Sequence, residues 1–447
     1  MSESELPLIS VVIPTYRDAH CLRLTLRSLA RQTIDRDLFE VIVVSDGKPD
    51  ETYANVAELA PGLNLHFTSL AQRSGCAAGR NHGAGLAKGK TVVFLDSDSY
   101  ASSELLAEHL SYHEKAVAPS VLAGARYDLG WPELSRILTE PEVDLRTVTA
   151  GLTDARFPGG FHPSQMSAYM ETPWLFTFAH NASVPRMVLE EVGLSDEEFG
   201  PTWGFEDIDL FYRLYLALGR SSERFNYSPS AMAGHLPHFR NVGAIRHGTA
   251  VNSDFIRRKH QTFEIELGVY PPPEISEQIR YYRRVIATCE ASNAGRVENF
   301  PELRRLLDGN RTLCAGFGAG SSSTMGSVSI DYSRPLTSEN RHLLGIRTQF
   351  ADQSFDAVVS VDLWRFMRSE DFWRFIAESF RVSSRLYLAF SFDTGLTSTD
   401  LEGISMIDEI DYLASALRPH LYLRIVPCVK GTVIELRRSD VISASTS

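Results

Sequence analysis

The sequence predicts an α/β fold in two parts, each a mostly parallel sheet wrapped by helices. Three observations predict it. Short apolar runs alternate with helix-period segments from residue 8 onward, a Pro-rich polar break interrupts the series near residue 271, and strand signals resume beyond it. The chain of 447 residues is also longer than one core serves, since single cores stop growing at about 250–300 residues.

Residues 8–13 and 39–45 are near-continuous apolar runs of the kind that parallel sheets bury on both faces, as are 63–68 and 91–95. Between the first two, Leu22, Leu26 and Leu29 recur at i, i+4 and i+7, which predicts a helix over 19–32 with one face on the sheet. After Arg257-Arg258-Lys259-His260 the chain reaches Pro271-Pro272-Pro273 and then a polar helical stretch, 277–288. The first domain is therefore expected at 1–265 and a helical linker at 266–300. Strands near 311–316, 327–331, 355–361, 386–390 and 432–436 place the second domain at 301–440, with a disordered Ser-rich tail at 441–447.

The composition excludes several classes of function. Lys and Arg number 44 against 56 Asp and Glu, a formal charge of −12, and no basic block offsets it, so nucleic acid is a poor partner. No run of about 18 apolar residues suggests a transmembrane helix. The first six residues carry two glutamates and no basic segment, so no secretory signal is expected and the cytoplasm is the expected location. Five scattered cysteines without a C-x-x-C spacing argue against a disulfide framework or zinc knuckle.

The strongest chemical signal is Val92-Val93-Phe94-Leu95-Asp96-Ser97-Asp98, an apolar strand ending in two carboxylates. Ligands bind beyond the carboxyl ends of strands in open α/β sheets, and paired carboxylates repel unless a cation joins them. An acidic turn is the bland alternative. A second acidic element, Trp203-Gly204-Phe205-Glu206-Asp207-Ile208-Asp209-Leu210, opens a helical pattern with Leu210, Leu214 and Leu218 along one face. Capping explains one acid at a helix start. Three within four positions beside a Trp and a Gly make a home for a general base.

These elements bring the chain to a family: residues 8–240 resemble the family 2 glycosyltransferases of the GT-A fold. The resemblance runs in order through Ser10-Val11-Val12-Ile13-Pro14-Thr15-Tyr16, Val41-Ile42-Val43-Val44-Ser45-Asp46-Gly47 and Gly75-Cys76-Ala77-Ala78-Gly79-Arg80-Asn81-His82-Gly83. It ends with the Asp96-Ser97-Asp98 and Trp203-Gly204-Phe205-Glu206-Asp207 elements. The resemblance implies a nucleotide-sugar donor, UDP-linked first, and a divalent metal, Mn²⁺ or Mg²⁺. Pro14, Thr15 and Tyr16 match the segment that holds the nucleotide, and Asp46 matches the acid that binds uracil. Arg80 and Asn81 match the stretch lining the diphosphate and ribose. Asp96 would contact the ribose or the metal shell, and Asp98 would bind the metal. His235 fits a further ligand best, with His238 as its competitor.

By similarity to inverting relatives, Asp207 is the general base and Glu206 orients the acceptor, although the fold hosts both stereochemistries. The acceptor stays open among glycan, peptide, lipid and natural product. Trp203 and the segment from Glu171 to Ala182 lie where relatives form the acceptor pocket, and within it Trp174, Phe176 and Phe178 read equally as a core strand of alternating large residues. A mobile acceptor-side loop is expected over 126–168.

In the second domain, Gly316-Phe317-Gly318-Ala319-Gly320 follows an apolar strand and Asp331 ends the next. Phe355-Asp356-Ala357-Val358-Val359-Ser360 resembles the fourth-strand region of class I S-adenosylmethionine-dependent methyltransferases. Only 12 residues separate Gly318 from Asp331, too few for a full crossover helix and strand. A degenerate docking or dimerisation module, a route to a homo-oligomer, is expected over a working methyltransferase. In an active one Gly316, Gly318 and Asp331 would touch the cofactor.

Overall fold

The computed structural model describes residues 7–54, 56, 62–140, 142–157, 163–319 and 327–438, so the expected tail at 441–447 lies outside them. The chain divides into two units, Met1–Ile256 with Tyr270–Ser276, and Arg257–Val269 with Glu277–Ser447. The division falls at 256/257 where the sequence reading puts it at 265. Nor is 266–300 a separate linker: Glu266 accepts from the backbone N–H groups of Leu344, Ile346 and Arg347 in the second unit. Val285 and Cys289 of the helix Pro272–Glu290 are core residues of that unit as well.

The first unit is built on an eight-stranded sheet. Its strands are β1 (Ile9–Thr15), β2 (Phe39–Ser45), β3 (Leu65–Ser69), β4 (Thr91–Leu95), β5 (Ser99–Ala101), β6 (Val121–Asp128), β7 (Asn181–Pro185) and β8 (Phe225–His235), in the order β3-β2-β1-β4-β7-β6-β8-β5. The first four are parallel; β7 then runs antiparallel to β4 and β6, and β8 runs parallel to β6 and antiparallel to β5. All seven residues of both β1 and β2 are buried, as their near-continuous apolar pattern requires, with Ser10 donating to the buried Glu40 between them, whereas the edge strand β3 is half-exposed. The helix Ala19–Leu29 lays Leu22, Leu26 and Leu29 on this sheet, ending three residues short of the expected 32.

Chain direction decides where a site can form. The strand order reverses between β1 and β4, and their carboxyl ends deliver Thr15 and Asp96 to the same edge as Asp46 after β2. Such a reversal opens a crevice between loops that leave in opposite directions.

The second unit has its own seven-stranded sheet: β9 (Thr312–Ala315), β10 (Val328–Ile330), β11 (Asn340–Arg341), β12 (Ala357–Val361), β13 (Arg385–Ser391), β14 (Leu421–Pro427) and β15 (Gly431–Arg438). The order is β11-β10-β9-β12-β13-β15-β14, with the first five parallel and β15 antiparallel to both neighbours. Its parallel part is doubly wound, with a switch point between β9 and β12. No helix among the described residues is long and apolar enough to cross a membrane.

Candidate active site

The helix Cys76–Leu86 is held tightly against β1 and β2. A Cβ on Gly83 would fall 2.4 Å from Val12 Cγ1, and one on Gly79 would fall 3.0 Å from Pro14 Cβ. Only glycine permits this approach, and it sets the next residue, Arg80, beneath the strand ends. The guanidinium is buried and donates to Asp96 Oδ1 and Glu206 Oε1, each at 3.0 Å. Burial works against its charge, but Asp96 and then Glu206 outweigh that and keep it protonated. One cation thus ties the β4 carboxylate to the acidic helix.

That helix, Glu206–Ala217, starts after Gly204 and Phe205, both at positive φ. Phe205 at φ 74° is strained by about 1–2 kcal/mol for a residue with a Cβ. Asn252 helps hold the turn, donating to Gly204 O at 2.8 Å. Asp207 follows Glu206 into the first turn. Burial, and after it the Glu206 charge, pushes the Asp207 carboxyl up to about 7, against the opposing effect of Arg80. Asp209 is different: fully buried, it pairs with Arg213 at 2.8 Å and so holds the helix rather than a ligand.

A second cluster gathers around Asp98. Its Oδ2 lies 3.3 Å from His235 Nε2 and 3.0 Å from His238 Nδ1, so both histidine candidates meet it. Burial raises the Asp98 pKa, but the flanking imidazoles of His235 and His238 outweigh it and hold the carboxylate well below its usual range. Asp98 Oδ1 is buried without a hydrogen-bond partner. An unpartnered carboxylate oxygen beside two imidazoles, with ligand atoms within 4.8 Å of one another, is a donor set that fits a divalent cation.

A third feature is a cavity of about 240 Å³ between the ends of β1 and β2, lined by Tyr16, Arg17, Asp46, Lys48, Tyr53 and Arg73 among others. Arg73 lies 4.4 Å over the Tyr16 ring, and Tyr53 OH is 2.9 Å from Thr15 Oγ1. Asp46 accepts from Ser74 N at 2.6 Å and Gly75 N at 3.0 Å. Pro14 is buried at the foot of this edge.

Two expected residues behave otherwise. Asn81 is not brought to the cluster: its carboxamide donates to Ser195 O and Glu197 Oε1 and accepts from Ser195 N, because its side chain leaves the helix away from Arg80. Trp174 is 0% exposed and packs edge-on against Tyr212 at 4.8 Å, so it belongs to the core and offers no acceptor a surface. Its segment is the helix Pro173–Phe176, not a strand. Trp203, by contrast, is 52% exposed beside the acidic turn. The expected loop over 126–168 contains the end of β6 and the helices Trp131–Thr139, Leu145–Val148 and Pro163–Glu171, with 158–162 outside the described residues.

The sequence reading missed Asp128, Arg126 and His180. Asp128 ends β6 opposite His235, and His180 is buried with both ring nitrogens unpartnered, its ring 5.6 Å from that of His235. No local motif marks Asp128 or Arg126, and His180 has no acid beside it in sequence.

Comparison with known proteins gives this geometry a family. The model of "Glycosyl transferase family 2" matches residues 10–191. A validoxylamine A glucosyltransferase of Streptomyces hygroscopicus subsp. jinggangensis is 30% identical, over 80% of this chain and 90% of that protein. The chain belongs to the family 2 glycosyltransferases. The match to this relative spans 397 residues, more than the first unit of the glycosyltransferase holds, so it runs into the second. The poly(ribitol-phosphate) β-N-acetylglucosaminyltransferase TarS of Staphylococcus aureus is 34% identical over 30% of this chain and 24% of its own. Among solved structures, the mannosyltransferase PcManGT from Pyrobaculum calidifontis, in complex with GDP-Man and Mn²⁺, aligns with TM-score 0.40 and 17% identity, over 56% of this chain and 62% of its own.

At the switch point of the second unit the chain meets itself. Phe317 N donates to Gly295 O at 2.8 Å, Val297 N to Phe317 O at 3.1 Å, and Gly295 N to Asp362 Oδ2 at 2.8 Å. A Cβ on Gly316 would lie 2.8 Å from both Gly295 O and Val297 Cγ2. Asp331 is fully buried, with Gly318 N on Oδ2 and Ser333 N and Oγ on Oδ1. The cavity between Ala315, Ile330 and Ser360 is about 20 Å³, room for roughly one water.

Proposed function

We propose that this glycosyltransferase moves a sugar from a UDP-linked donor by a metal-dependent single displacement with inversion. The observation that carries the reading is Arg80, whose guanidinium joins Asp96 of the donor-side pair to Glu206 of the acidic helix. The Tyr16–Asp46 cavity offers an aromatic face, a carboxylate acceptor and the cations Arg17, Lys48 and Arg73, a set suited to a nucleobase followed by phosphates. Asp98 with His235 and His238 would hold the cation, and Asp96 would face its shell or the ribose. When bound, that cation supplies Lewis-acid stabilisation of the departing diphosphate.

Asp207 takes the proton from the acceptor hydroxyl as its oxygen bonds to the anomeric carbon and the bond to the diphosphate oxygen breaks. A carboxyl near 7 suits that task, since a base works best with a pKa close to the working pH. Glu206, fixed by Arg80, orients the acceptor, and the exposed Trp203 ring gives a sugar a face to stack on. Similarity to a validoxylamine A glucosyltransferase across 90% of that protein favours glucosyl transfer to an acceptor of the kind its name states.

The second unit serves as a docking or dimerisation module rather than a methyltransferase. Its switch point is occupied by residues 293–297, and its edge strand β14 exposes Tyr422 and Ile425.

Calorimetric titration with UDP, with and without Mn²⁺, tests the donor site. Wild type is expected to bind UDP more tightly with Mn²⁺, and Asp98→Ala to lose that enhancement. An enhancement that survives in Asp98→Ala would remove Asp98 from the metal site.

A further inference from the structure

The contact that governs the histidine of the cluster lies behind it. Asp128 closes β6, His235 closes β8, and the two are register partners across the parallel pair. Asp128 Oδ1 is 3.1 Å from His235 Nδ1, and the same oxygen accepts from Arg126 Nε at 3.1 Å and Nη2 at 2.9 Å. Arg126 thereby fixes the carboxylate, and the carboxylate fixes the ring. An acceptor at Nδ1 draws the imidazole proton to that nitrogen and leaves Nε2 with its lone pair.

Nε2 is the nitrogen that faces the cluster. It lies 3.3 Å from Asp98 Oδ2 and accepts from Arg240 Nη2 at 2.8 Å, so a cationic group already sits on that lone pair. His238 is committed differently. Its Nδ1 is 3.1 Å from Leu236 O and 3.0 Å from Asp98 Oδ2, two acceptors, so this nitrogen carries its proton and donates. The buried His180 ring, edge-on to His235 at 5.6 Å, restrains the imidazole from turning over.

We infer that Asp128 is the positioning residue of the cation site, holding His235 in the Nδ1–H tautomer so that Nε2, with Asp98, ligates the metal. This rests on the metal reading proposed above. It also selects His235 over His238 as the histidine that turns an unprotonated nitrogen toward Asp98. Carboxylate partners of this kind typically change metal affinity by about 10–100-fold when removed.

The test uses the full chain. The tautomer of His235 is read by ¹⁵N-histidine NMR without metal, with His235→Gln assigning the signal. Mn²⁺ binding is read from the free-ion electron paramagnetic resonance signal. Wild type is expected to show the Nδ1–H pattern. Asp128→Leu is expected to shift it toward Nε2–H and raise the Mn²⁺ Kd by about 10–100-fold, with no further loss when added to His235→Ala. Asp128→Asn, which keeps the shape and removes the charge, serves should the Leu variant not fold, and is expected to weaken Mn²⁺ in the same direction. Unchanged tautomer and Kd in both variants, with binding abolished by Asp98→Ala, would overturn the role of Asp128 and leave the metal reading standing. Wild type that does not bind Mn²⁺ would overturn both.

Discussion

Asp207 weighs against the fold that carries it. Its carboxyl is pushed up to about 7 by burial and then by Glu206, so at pH 8 the folded protein holds a charge that the unfolded chain would solvate better. The folded pKa is above the unfolded value of about 3.9, and the stability it contributes is present at low pH and lost as pH rises through 7. Asp207→Asn is therefore expected to melt above wild type at pH 8, with the gap closing toward pH 4, in thermal scans followed by circular dichroism. On the proposed mechanism the same substitution removes the proton acceptor. Turnover is expected to fall about 10²-fold or more with UDP affinity nearly unchanged, and the wild-type rate to climb with pH and level off above about 7. Loss of UDP binding instead would take Asp207 out of the base role. The acids of this site were legible because each pair sits together in sequence, at a strand end or a helix start. Asp128 was not, because its partner His235 reaches it only through the register of β6 and β8.

At the scale of elements, the helix Cys76–Leu86 and the helix Pro173–Phe176 teach opposite lessons. The first carries Arg80 and Asn81, yet its glycines position it. Gly83→Val would press a side chain into Val12 and Val44, and overpacking of this kind costs about 1–3 kcal/mol. Chemical denaturation is expected to show that loss. Assays well below the melting temperature are expected to show reduced turnover as well, because Arg80 shifts with the helix. Full activity in a destabilised Gly83→Val would separate the packing from the site. The second element was read as an acceptor floor or a strand from its alternating large residues. Pro173 at the first helical position was the signal for a helical turn. Trp174→Ala is expected to cost about 3–5 kcal/mol in denaturant unfolding while the KM values for donor and acceptor stay unchanged. A raised acceptor KM without loss of stability would return Trp174 to the acceptor site.

For the molecule as a whole, the parallel strands were legible because burial on both faces leaves near-continuous apolar runs, as in β1, β2, β4 and β12. The antiparallel part of the first sheet left no such trace: β5 has three residues, and β8 begins with a half-exposed polar stretch. In the second unit the strand signals were legible, but the filling of its crevice by residues 293–297 depends on tertiary contacts that no spacing encodes. Titration of the full protein with S-adenosylmethionine is expected to give no heat of binding, and saturable heat would reopen the methyltransferase reading. The sheet order also has a temporal side. Among the described residues β5 pairs only with β8, so the strand that starts at Ser99 has no strand partner until Ala233–His235 has left the ribosome. A nascent chain halted before residue 225 holds the Tyr16–Asp46 cavity and Asp98 but neither His235 nor His238, which meet that carboxylate. Sheet closure and completion of the Asp98–His235–His238 cluster are then a single late event in synthesis, and a truncated chain released before it carries half of the proposed site.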